Sequence, residues 1–117
     1  MRSHGTTVTF VKRSDGALIG FSSEGHSGYA EAGKDIVCAA ISALTQTALA
    51  GLKDVAGIPV MFDVDDNRAF IEVLTTPEAT DEHIRQAQLL LKTLNEGLQA
   101  IQREYPRNLR IIFKERR

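Results

Sequence analysis

The run Gly25-His26-Ser27-Gly28-Tyr29-Ala30-Glu31-Ala32-Gly33-Lys34-Asp35-Ile36-Val37-Cys38-Ala39-Ala40-Ile41-Ser42-Ala43-Leu44 is where the chain changes its pattern. Before it, apolar residues alternate. After it, they recur at three- and four-residue steps. The glycines at 25, 28 and 33 make the part between, Gly25 to Lys34, a loop that can bend tightly and move on and off a ligand. Asp35 is a preferred helix N-cap, which would place Cys38 in the first turn. From there Val37, Ile41, Leu44, Ala48, Leu52 and Val55 form one apolar stripe of a helix running from Asp35 to about Val55. Asp35, Cys38 and Ser42 share a second face beside it.

Working outward, Thr6 to Lys12 alternates around Val8 and Phe10, and Ala17 to Glu24 around Ile19 and Phe21. The turn signal Ser14-Asp15-Gly16 joins them as a hairpin. Beyond the helix, Gly57 and Pro59 break the pattern. Pro59 to Val64 and Arg68 to Leu74 read as a second hairpin around Asp65-Asp66-Asn67. Thr80 then caps a long helix whose stripe is Ile84, Ala87, Leu91, Leu94, Leu98, Ile101 and Tyr105; Pro106 stops it. Asn108 to Lys114 is a last strand around Ile111 and Phe113. The order β-β-α-β-β-α-β predicts an α+β fold. Both helices would pack on one face of a five-stranded sheet in a two-layer domain over 6–117. Residues 1–5 are expected to be disordered or an appended extension.

Composition narrows the function classes. The chain has 117 residues, 43% of them hydrophobic and 25% charged, with a net charge of -1. That is an ordinary globular domain with no overall field toward nucleic acid. Arg103, Arg107, Arg110, Lys114, Arg116 and Arg117 give the C-terminal part a local basic excess, read first as a solvated strand face. The single cysteine cannot form an intramolecular disulfide, which suits a reducing compartment. No basic start followed by an apolar run suggests a signal peptide, and no apolar stretch is expected to approach a membrane span. These readings place the protein in the cytoplasm, away from membranes.

Cys38 is the main chemical candidate. A thiolate is the reactive form of cysteine, and both a helix N-terminus and a nearby imidazolium favour it. His26 lies within loop reach and would act as base, then acid. Asp35 could orient His26 as well as cap the helix, and Ser42 could line the site. Helix N–H groups could receive an oxyanion. Against this stands the plain reading of Cys38 as a small buried hydrophobe. His83, in the polar first turn of the long helix, reads as solvated. Asp63, Asp65 and Asp66 lack the spacing of a calcium loop, and the histidines lack that of a zinc site, so neither metal nor cofactor is expected.

The stretch from Gly25 to Leu44 resembles the ribosomal-processing cysteine protease family of bacteria. The matching residues are Gly25-His26, Gly33, Asp35-Ile36-Val37-Cys38-Ala39 and Ser42. The resemblance implies a cytoplasmic, homodimeric endopeptidase with a His26–Cys38 dyad, supported by Asp35 and Ser42. Its substrate would be the N-terminal extension of a large-subunit ribosomal protein, cut after an aromatic residue. Gly25, Gly28, Tyr29 and Gly33 would form the substrate loop, with Tyr29 as one wall of an aromatic pocket. The alternatives are a non-catalytic ribosome-associated binding module, using the basic C-terminal segment, and a redox-sensing thiol. Iodoacetamide reactivity of Cys38 across pH separates an activated thiolate from a structural thiol.

Overall fold

In a computed structural model, residues 5–25 and 32–116 are described, with 32–35 as backbone alone. The elements are β1 (Thr6–Lys12), β2 (Leu18–Glu24), α1 (Ala32–Ala50), β3 (Val60–Asp65), β4 (Phe70–Thr75), α2 (Asp81–Glu104) and β5 (Leu109–Glu115). The expected β-β-α-β-β-α-β order holds, and the class is α+β. The five strands lie in the order β3-β4-β2-β1-β5. All pairs are antiparallel except β1 with β5, which run parallel.

Register explains the core. Val8 pairs with Ser23 and Phe10 with Phe21; Phe21 then pairs with Val73 and Ser23 with Ile71. Side chains alternate along strands, so these residues share one face. That face carries the helices: Val8, Phe10, Phe21, Val73 and Leu109 are buried together with Val37 and Ile41 of α1 and Leu91, Leu94 and Leu98 of α2. The opposite face shows Asp63, Glu72, Arg110 and Lys114, all exposed. The basic residues of β5 are thus a solvated strand face, as the local charge excess suggested. Truncating a leucine in such a core to alanine costs about 2–5 kcal/mol.

The α2 helix is fixed by polar bonds as well as packing. The Thr80 hydroxyl accepts from the His83 backbone N–H (3.1 Å), and His83 Nδ1 accepts from the Thr80 N–H (3.0 Å). This capping box uses histidine where glutamate or glutamine is usual. His83 is therefore half-buried and engaged rather than solvated. Further along, Gln88 reaches across to Leu18: its Oε1 accepts from the Leu18 N–H (2.7 Å) and its Nε2 donates to the Leu18 carbonyl (2.8 Å). The β1–β2 register shifts between Val11 and Lys12, close to this point. The amide side chain thus occupies the place of a strand neighbour. Gln102 Nε2 donates to the Leu109 carbonyl (3.1 Å) and ties α2 to β5.

The first helix differs from expectation in three ways. It begins at Ala32, so Gly33 and Lys34 lie in the helix and Asp35 is not its N-cap. A glycine weakens a helix by only about 1 kcal/mol relative to alanine, and Ala32 and Lys34 on either side of Gly33 favour helix. The helix also ends at Ala50, where a single π-helical turn, Gly51–Val55, takes over. That turn rotates the stripe, leaving Val55 84% exposed while Leu52 stays buried. Finally, Ile36–Val55 is long and apolar enough to cross a membrane by length and composition, contrary to the sequence reading. Alanines raise its hydropathy, yet Val37, Ile41, Thr45, Ala48 and Leu52 pack it as a core helix. Of residues 1–5, Gly5 alone is described. It has φ 76° and lies against the backbone of Asn108.

Candidate functional site

A cleft of about 300 Å³ opens between α1 and the β3–β4 end of the sheet. Its helical wall carries Cys38, Ser42 and Gln46, one turn apart on a single face. Thr6 and Ser23, both buried, contribute hydroxyl groups from β1 and β2. Its far wall is Val64 of β3, Asp66 and Ala69 of the following turn, and Phe70 and Ile71 of β4.

Cys38 is a free, half-buried cysteine. The buried stripe of Val37 and Ile41 holds the helix against the sheet, and this sets the angle at which its neighbouring face meets the cleft. Cys38 is in the second turn of α1, since the helix starts at Ala32. Its N–H is thus already spent within the helix, and the free N–H groups of the helix N-terminus lie a turn earlier. Ser42 is exposed, and its Oγ accepts from Gln46 Nε2 (3.0 Å). Thr45 is buried and donates to the Ile41 carbonyl (3.0 Å), so it adds no unpaired polar group beneath the site.

The chain enters the cleft at Gly25. Its carbonyl accepts from the Thr6 hydroxyl (3.0 Å), and its φ of 90° favours glycine. A Cβ here would come within 2.9 Å of the Gly5 carbonyl oxygen, so the two backbones need the close approach. His26 follows directly in the chain. His26, Ser27, Gly28, Tyr29, Ala30 and Glu31 lie outside the described residues, as does the Asp35 side chain. The expected loop motion and the Tyr29 wall therefore fall outside the description too.

Of the expected site residues, the structure brings Gly25, Cys38 and Ser42 to one cleft and moves Gly33 into α1. The residues that sequence reasoning missed are the far wall: Val64, Asp66, Ala69, Phe70 and Ile71. Their only signal in the sequence is the Asp65-Asp66-Asn67 turn, which reads as the tip of a hairpin and not as the wall of a site. Ala69 in that turn has φ 49°, a left-handed conformation uncommon outside glycine. Among the described residues, no three His, Cys, Asp or Glu side chains gather as metal ligands.

Comparison with known proteins adds identity to this geometry. The sequence profile of the cysteine protease Prp family matches residues 6–110. The ribosomal processing cysteine protease Prp of Bacillus subtilis is 33% identical over 105 residues, covering 89% of this chain and 93% of the relative. Its Staphylococcus aureus counterpart is 30% identical over 92% of this chain and 98% of the relative. The crystal structure of the essential S. aureus ribosomal processing protease Prp in complex with a substrate peptide superposes with a TM-score of 0.79 at 27% identity. It covers 93% of this chain and 99% of that one. A second S. aureus structure, holding a covalently linked product peptide, gives a TM-score of 0.77 at 28% identity, with the same coverage.

Proposed function

This chain belongs to the cysteine protease Prp family and is a cysteine peptidase, and from that premise we propose that it trims a ribosomal protein at its N-terminus. The substrate in this reading is the N-terminal extension of a large-subunit ribosomal protein, cut in the cytoplasm during ribosome assembly. One observation carries the reading. Cys38 stands half-buried on the wall of a peptide-sized cleft, and Gly25, the residue before His26, lines that same cleft. The S. aureus relatives, crystallised with substrate and covalently linked product peptides, support it.

In this mechanism His26 takes the Cys38 thiol proton, and the thiolate sulfur attacks the scissile carbonyl carbon. The tetrahedral intermediate collapses as His26 returns the proton to the leaving amine. The new N-terminus departs, and an acyl thioester stays on Cys38. Water, deprotonated by His26, hydrolyses that thioester and restores the thiol. Val64, Phe70 and Ile71 give the cleft an apolar wall suited to the aromatic side chain before the cut. The family resemblance also supports a homodimer, and Leu89, 73% exposed on α2, offers apolar surface for it.

The test incubates the protein with the extended ribosomal protein and weighs the products. Release of the N-terminal extension by the wild type, and none by His26→Ala, is expected. An intact substrate after prolonged incubation with folded wild-type protein would remove the reading.

A further inference from the structure

We propose that Asp66 selects a basic side chain of the peptide substrate close to the scissile bond; this rests on the proteolytic reading above and deepens it. Asp66 is the only charged residue among the described residues that line the Cys38 cleft. It opens the short 3-10 turn Asp66–Arg68 between β3 and β4 and is exposed.

Its neighbour Asp65 shows what a structural aspartate does here. The Asp65 carboxylate accepts from the backbone N–H groups of Asn67 (3.0 Å) and Arg68 (3.3 Å), capping the turn. It also bridges the Arg68 guanidinium at 3.5 Å. That guanidinium lies 4.5 Å from the centre of the Phe70 ring. The adjacent cation is thus committed to Asp65 and Phe70. Among the described residues, the Asp66 carboxylate has no hydrogen-bond or ion-pair partner, while its backbone is held by the Ala69 N–H donating to the Asp66 carbonyl (3.2 Å). The left-handed Ala69 closes the turn on the cleft side. A fixed backbone with a carboxylate that no described residue neutralises, at a cleft wall, is arranged to receive a cation, not to hold the fold. Proteins that sit on RNA carry an excess of Lys and Arg to meet phosphate, so a ribosomal substrate presents such side chains.

The experiment uses a set of peptides with one apolar core around the cut and a single lysine or alanine at successive flanking positions. At one position the wild type should prefer lysine over alanine in kcat/KM by about threefold to fivefold, the range of a solvent-exposed ion pair, and mainly through KM. That preference should shrink in high salt. In Asp66→Asn the lysine-to-alanine ratio should fall to about one, Asp66→Glu should restore it, and Asp66→Lys should invert it to favour alanine. An unchanged ratio in Asp66→Asn, or no lysine preference at any position in the wild type, overturns the proposal. If the wild type cleaves none of the set, the proteolytic reading is what fails. Fluorescence polarisation of the same peptides on Cys38→Ala and Cys38→Ala/Asp66→Asn then decides the point: a lysine preference lost with Asp66 upholds the inference, and any other pattern overturns it.

Discussion

The two helices pack side by side on the same sheet face, yet they are built for different tasks. α2 is sealed at its start by the reciprocal Thr80–His83 bonds and stitched to two strands by Gln88 and Gln102. In α1, Thr45 and Ser42 turn their hydrogen bonds back onto the helix itself. It meets α2 closely enough that a Cβ at Gly97 would lie 3.0 Å from Leu44. Small residues dominate its other faces, and one of these, with Cys38 and Ser42, looks into the cleft. Under the proposed mechanism the difference is a division of labour. A helix that presents chemistry must leave one face unpacked, and its neighbour supplies the rigidity that this openness removes.

The sharpest way to break this contrast is to alter each helix and read activity and stability separately. Cys38→Ala should lower peptide cleavage by ~10³-fold or more, since the covalent step is lost, while the melting temperature stays within a degree or two. A large drop in melting temperature would make Cys38 a packing residue and blur the division. On the other helix, Gln88→Ala should leave the buried Leu18 N–H and carbonyl without their partner. That removal should destabilise the protein by about 2 kcal/mol in a urea titration, with kcat of the folded fraction kept. Equal stability would mean that water replaces the amide at the register shift. Thr80→Ala should cost about 1 kcal/mol by the same titration, as loss of an N-cap does. A null result there would point to the His83 half of the box as the stronger partner.

The smallest effect belongs to neither helix and calibrates the rest. In the β1–β2 turn the Asp15 carboxyl is held below its ordinary value of 3.8, first by the Ala17 backbone N–H and then by Arg13. A carboxylate lowered in the folded state stabilises above its unfolded pKa, and this contribution fades as pH falls through the folded one. Asp15→Asn should therefore trim the melting temperature slightly at pH 7 and make no difference at pH 2. Loss of the same size at both pH values would assign the effect to the turn's geometry instead.

Patterns that are local in the chain were legible in the sequence. Both hairpins, the Thr80 cap and the stripe of α2 from Ile84 to Ile101 follow from turn residues and spacing over a few positions, whereas Tyr105, expected in the stripe, is the exposed C-cap. The start of α1 is not legible in the sequence because Asp35 looks like a cap, although Ala32 and Lys34 carry helix propensity ahead of it. The place of His83 is not legible either, because a first-turn histidine is usually solvated and its bond to Thr80 shows only in three dimensions. The Cys38 cleft was half legible. Its helical wall follows from one short motif, whereas its far wall exists because β4 pairs with β2 across an intervening helix and strand. No spacing rule brings Asp66 or Phe70 to Cys38. Only the strand order does.

The parallel pairing of β1 with β5 sets a timetable. Thr6 lies beside Leu109 and Lys12 beside Glu115, so the first strand made is completed by the last. A nascent chain holding β1 to α2 still has a naked inner edge on β1, and α2 lacks its anchor at Leu109. Completion of the sheet thus requires β5, the strand furthest from β1 in the chain, and the Cys38 cleft, whose floor includes Thr6 of that same first strand, matures only with it.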